Sequence, residues 1–252
     1  MAKASMTLED LVSQLQSVHG AALQAIVLYG SAASDEAVAG HSDQNVLLIV
    51  DLLELSTLRT LGQTARAWQE AGNPPPLTLT LDEWTRSSDI FPMEYADILE
   101  RHRVLAGTLP LEGIRVHPAD LRLQVEHEAM GKLLRLRSGV MTAGTDTKRQ
   151  LELLRASFSS LLVIFRALLR LYGEKPPRDV ISVIQAVSTR CGFDGTAFER
   201  VAAMVRGSAI ADRDVEGVLS GYVRSMDALV LHLDRYSPPP ATLPSATPPF
   251  AD

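Results

Sequence analysis

Two short clusters in this 252-residue chain carry residue types that can do phosphate chemistry. Tyr29-Gly30-Ser31 is followed, after a loop, by Ser42-Asp43-Gln44-Asn45 and then the apolar run Val46-Leu47-Leu48-Ile49-Val50. Gly30 tolerates positive φ and has no side chain, so the backbone there can approach a phosphate closely. The hydroxyls of Ser31 and Ser42 can add hydrogen bonds to phosphate oxygens. Asp43 and Asn45 are two apart, so on a strand they point to the same side. A carboxylate on that side suits Mg²⁺, a hard cation usually bound through one or two carboxylates plus substrate phosphates. Asn45 is neutral where a second carboxylate would strengthen such a site. The pattern predicts phosphate binding with a weak metal.

The elements that must hold these residues are legible from periodicity. Thr7 to Val18 reads as an amphipathic helix with Thr7 as cap and Asp10 as the capping-box partner. Ala25 to Tyr29 reads as a strand stopped by Gly30. Val46 to Val50 reads as a strand buried on both faces. Ser56 is expected to cap a helix through Ala71, ended by Gly72-Asn73 and Pro74-Pro75-Pro76. Leu77 to Leu81 reads as a third strand, which makes a strand–helix–strand crossover. Phe91-Pro92 opens a helix to about His102, and Arg103 to Leu105 and Gly113 to Val116 are expected to add short strands.

After Pro118 every segment is helical in pattern: Asp120 to Met141, Thr145 to Tyr172, Arg178 to Cys191, Thr196 to Arg206 and Asp212 to Tyr236. The expected organisation is α+β. Residues 1–117 form a mixed sheet with flanking helices, 118–236 an all-helical bundle, and 237–252 a Pro-rich disordered tail. Phe91, Tyr95, Trp68 and Trp84 are expected in the core or between domains.

Composition sets the outer bounds. The 46% hydrophobic content supports a packed core, and the longest apolar stretch, Leu161 to Leu171, is cut by Arg166 and Arg170, so no segment reads as membrane-spanning. Met1 to Ser5 has no hydrophobic signal core, and the single cysteine, Cys191, excludes an internal disulfide framework. A cytoplasmic location is the expectation. Residues 1–110 hold 6 basic and 14 acidic side chains, giving −8; residues 111–236 hold 18 and 15, giving +3. That balance lacks the clearly basic domain of a duplex nucleic-acid binder.

Residues 25–50 with the crossover to Leu81 resemble the nucleotidyltransferase superfamily that includes DNA polymerase beta and kanamycin nucleotidyltransferase. Asp89-Ile90-Phe91-Pro92-Met93-Glu94-Tyr95-Ala96-Asp97-Ile98, His102-Arg103-Val104-Leu105, Leu121-Arg122-Leu123-Gln124 and Gly131-Lys132-Leu133-Leu134 resemble a bacterial group that joins this fold to a helical C-terminal domain. The resemblance covers roughly residues 20–235. It implies a nucleoside triphosphate held by Gly30, Ser31 and Ser42, with Mg²⁺ on carboxylates at the Asp43 and Asn45 positions and on a third after the crossover helix.

The chain departs from that pattern at Asn45 and again at Leu77 to Leu81, which holds no carboxylate. Asp82 shares strand parity with Thr78 and Thr80 and would face the site if the strand ran one residue further. Asp51 shares parity with Asp43, but eight residues of strand put it roughly 26 Å away.

The resemblance therefore implies a nucleotide-binding protein with an incomplete carboxylate set, weakly active or non-catalytic. The alternative is an active Mg²⁺-dependent enzyme that moves a nucleoside monophosphate from an NTP onto a hydroxyl acceptor; the acceptor, nucleic acid as a partner and homo-oligomer formation stay open. A further alternative, an HEPN-like ribonuclease or toxin–antitoxin component, rests on Arg122 and His127, which match the loose Arg-x4-His spacing of HEPN ribonucleases, although five helical residues leave them roughly 140° apart. Lys148, Arg155, Arg166 and Arg170 fall on one stripe of a long helix, fit for phosphate contact or a solvated face. His41 stands beside Ser42 and Asp43.

Overall fold

The computed structural model describes residues 6–33 and 44–237. It divides into two compact units that meet in sequence between Val116 and His117.

The first unit begins with α1 (Leu8–His19). Thr7 caps it as expected: its hydroxyl accepts from Asp10 N while the Asp10 carboxylate accepts from Thr7 N. Then come β1 (Leu23–Tyr29), a 3-10 turn over Gly30–Ala33, and β2 (Asn45–Val50). The crossover runs through α2 (Leu55–Thr60) and α3 (Gly62–Glu70) to β3 (Leu77–Thr80). α4 (Leu81–Arg86), α5 (Pro92–Glu100) and β4 (His102–Gly107) complete the unit.

The sheet has the order β3-β2-β1-β4, with β2 and β3 parallel and the other pairs antiparallel. It is apolar on both faces. Ile26, Leu28, Val46, Leu48 and Val50 pack with Leu11, Leu15 and Trp68; Ala25, Val27, Leu47 and Ile49 pack with Trp84, Tyr95 and Ile98. The strict alternation assigns each residue to one face. Gly107 ends β4 at φ +71°, where a β-carbon would stand 2.0 Å from the Gln24 carbonyl oxygen. Only glycine fits there.

Four local expectations change. The single helix expected from Ser56 to Ala71 is two, because Gly62, a poor helix former, follows the buried Leu61 at the break. Ser56 is not the cap; Glu54 occupies that position and accepts from Ser56 Oγ at 3.1 Å. Residues 113–116 form no strand: Ile114 is buried in the core and its N–H closes a turn onto Leu111 O. Trp68, Trp84 and Tyr95 are core residues as expected, whereas Phe91, at the N-cap of α5, is 47% exposed.

The second unit is helical: α6 (Pro118–Ala143), α7 (Thr147–Leu171), α8 (Val180–Cys191), α9 (Thr196–Val205) and α10 (Asp212–Arg235). Asp146 and Asp179 cap α7 and α8 by accepting from Arg149 N and Ser182 N. Phe165, Phe198 and Tyr222 meet edge to face in its core. Among the described residues no helix is long and apolar enough to cross a membrane. The Pro-rich segment 238–252 lies outside them.

Candidate functional site

Register builds the site. Tyr29, the last residue of β1, pairs with Asn45, the first of β2, on one side and with His102, the first of β4, on the other. Chain direction therefore brings three strand ends to one edge of the sheet. Gly30 follows at φ +75°, its N–H donating to Arg101 O at 3.1 Å.

Asn45 alternates with Leu47 and Ile49, so its side chain lies on the face covered by α5. A β-carbon placed on Gly30 would stand 3.1 Å from Asp97 Oδ2 and 3.4 Å from Asn45 Nδ2. The glycine thus leaves open a small corner lined by one amide and one carboxylate. Tyr95 and Ile98 are buried against the sheet, and Asp97 and Glu94, one helical turn apart, are half-buried.

These groups set the electrostatics. Burial, with the nearby Glu94 and Asp97 charges, pushes the Tyr29 phenol up to about 12. Tyr29 therefore keeps its proton at neutral pH and acts as a donor, not a base. Beside it, His102 Nδ1 lies 2.8 Å from Ile98 O. A carbonyl only accepts, so Nδ1 carries a proton. The half-buried Arg101 guanidinium pairs with Glu100 at 3.0 Å.

Of the residues expected at the site, the structure brings Gly30 and Asn45 together; Ser31 follows in the 3-10 turn. His41, Ser42 and Asp43 lie outside the described residues. Asp82 is elsewhere. β3 stops at Thr80, whose hydroxyl caps α4 in a box with Glu83, so Asp82 sits in the first helical turn, exposed and ion-paired with Arg86. β3 begins at Leu77, opposite Leu47, so no residue of β3 is level with Asn45, and Pro75 precedes the strand.

Asp97 is the residue that sequence reasoning missed. The available signal was the acidic pair Glu94 and Asp97 at i, i+3 on α5, beside the buried Tyr95 and Ile98.

Magnesium, which the resemblance implies, meets a short donor set here. Among the described residues, no group of three or more His, Cys, Asp or Glu could hold a metal. Asp97 and the Asn45 amide instead fit an ion that arrives with a triphosphate and keeps most of its ligands as water and phosphate oxygen.

In the helical unit, Arg122 and His127 form no shared site. Arg122 Nε donates to Tyr236 O at 2.6 Å and Nη2 to Leu233 O at 3.2 Å, capping the C-terminus of α10, while His127 is exposed. Of the basic stripe on α7, Lys148 and Arg155 are exposed and Arg166 and Arg170 half-buried.

No family model matches the chain, and no curated protein matches it in sequence. Among solved structures it is similar to the crystal structure of spectinomycin adenyltransferase AAD(9) from Enterococcus faecialis with ATP and spectinomycin. The TM-score is 0.57 and the identity 14%, over 90% of this chain and 98% of that one. The fold is nucleotidyltransferase-like and α+β, a four-stranded mixed sheet followed by a helical region.

Proposed function

We propose that this protein binds a nucleoside triphosphate at the Gly30–Asn45–Asp97 corner and transfers nucleotides weakly or not at all. The observation that carries the reading is the corner itself. A glycine at positive φ leaves space for a phosphate at three strand ends, while position 45 offers an amide and the neighbouring strand β3 holds no carboxylate. The similar adenyltransferase structure holds ATP, which supports a nucleotide as the ligand. Gly30 and Ser31 would cradle the phosphates, together with Ser42, and Tyr29 would donate to them. Asp97, Asn45 and Asp43 would hold Mg²⁺, which when bound neutralises phosphate charge. One carboxylate fewer than the superfamily pattern means weaker metal binding and a slower reaction.

The test is calorimetry with each Mg²⁺–NTP beside incubation with α-labelled NTPs, scored for pyrophosphate release and label transfer. Binding is expected, with transfer near background. Gly30→Val is expected to abolish binding, because it strains the turn and fills the corner. Asn45→Asp is expected to tighten Mg²⁺–nucleotide binding about tenfold, the effect of roughly 1.4 kcal/mol from one added charge.

A second reading has a specific observation behind it: Asp97 stands against Gly30 and could supply the carboxylate that position 45 lacks. In that case wild-type protein transfers label robustly and Asp97→Asn and Asp43→Ala each abolish transfer, which would overturn the first reading. Absence of nucleotide binding would sink both.

A further inference from the structure

α6 is apolar on two sides. Leu121, Val125, Ala129, Leu133, Leu136 and Ala143 are buried against the bundle. On the opposite side Leu123, Met130, Leu134 and Met141 are 65%, 41%, 53% and 77% exposed. With the exposed His127 and Arg137 they step along the helix at intervals of 4, 3, 4, 3 and 4 residues. That is the heptad seam by which one helix packs on another. At 100° per residue all six lie within about 40° of one line.

The seam is also symmetric. Position 123 mirrors 141, 127 mirrors 137, and 130 mirrors 134, all about Lys132. We infer that the occupant of this face is a second copy of the same chain, its α6 packed antiparallel across a two-fold axis that crosses the seam at the level of position 132. The axis lays Leu123 on Met141 of the second copy and Met130 on its Leu134. A symmetric dimer needs such a self-complementary patch.

Charge selects the same arrangement. Glu126 and Arg137 lie on one flank of the seam, roughly 60° and 40° from its line. The two-fold keeps that flank on the same side in both copies and sets position 126 opposite 138. Glu126 then stands within about one residue rise, 1.5 Å along the axis, of Arg137 in the second copy. Two such pairs form. A parallel pairing would carry that flank to opposite sides of the seam in the two copies, so Glu126 and Arg137 would form no such pair. Within one chain Glu126 pairs with Arg122 at 3.0 Å and Arg137 with Asp227 at 2.6 Å. Arg137 and Asp227 are about half exposed, and such surface pairs contribute little. They yield readily to the interface.

Sedimentation equilibrium of the full chain over a concentration series tests this, independently of any nucleotide result. Wild type is expected to approach twice the 27.4 kDa chain mass. Leu134→Glu and Met130→Glu are each expected to sediment as single chains with unchanged far-UV circular dichroism. Glu126→Arg and Arg137→Glu are each expected to weaken the dimer on the order of tenfold, and the double variant to regain wild-type affinity. A wild type that stays at single-chain mass throughout overturns the inference, whether another surface or another partner covers the face. So does a dimer that survives Leu134→Glu, or a double reversal that restores nothing.

Discussion

Trp68 and Trp84 lie on opposite faces of the same sheet, 1% and 0% exposed, yet are held differently. Trp84 Nε1 donates to Pro110 O at 2.7 Å, its ring stacks on Tyr95 at 4.4 Å, and Tyr95 Oη donates back to Trp84 O at 2.7 Å. Trp68 Nε1 has no hydrogen-bond partner among the described residues. On that face the ring itself is held by apolar burial, and a Thr64 Oγ1 to Gln14 Oε1 hydrogen bond ties α3 to α1. On the other, directional bonds fix α4 against α5, and α5 carries Asp97 to the strand ends. Of the two tryptophans, the one on the candidate site's side is fixed by directional bonds.

The largest expected effect probes that difference directly. Trp84→Ala should cost about 4 kcal/mol in urea unfolding, and in the folded fraction should weaken nucleotide binding by releasing α5. Trp68→Ala should cost a similar amount and leave binding unchanged; equal losses of binding would break the comparison. The gentler Phe substitutions sharpen it. Trp84→Phe strands the Pro110 carbonyl, whereas Trp68→Phe removes a donor with no partner, so the first should cost about 1–2 kcal/mol more.

Smaller again is Thr80→Ala, which removes the α4 capping box at about 1 kcal/mol. Last is the pH response of the Trp68 side. Burial lowers the pKa of His19, at the end of α1, below its ordinary value near 6.5. The unfolded chain therefore gains a proton first, and the His19 contribution, complete above about pH 6.5, is lost as pH falls toward the folded pKa. His19→Gln should flatten that part of the stability profile between pH 7.5 and 5.5. The His232 part should remain, since burial shifts that group the same way.

Much of the fold is written locally. The Thr7–Asp10 box, the runs at 25–29 and 46–50 and the five helices after Pro118 are all short-range signals, and the structure has each. The boundary at Thr80 was equally local but competed with a stronger pattern. Thr80-x-x-Glu83 is a capping box, yet the alternation of Leu77 to Leu81 reads as strand to its end. Asp97 was not local at all. It stands 52 positions beyond Asn45, and nothing in its own segment says which strand end it will meet. Only the pairing of Tyr29 with both Asn45 and His102 brings it there.

The strand order has a consequence for synthesis. β1 is paired on one edge by β2, which follows soon after, but its other edge waits for β4, more than seventy residues downstream. At about 5–20 residues per second that wait is roughly 4–15 seconds on the ribosome. Throughout it a strand apolar on both faces presents an open edge, the template for joining a neighbouring nascent chain. Codons that slow translation within α5 should lower soluble yield more than the same codons placed in α10.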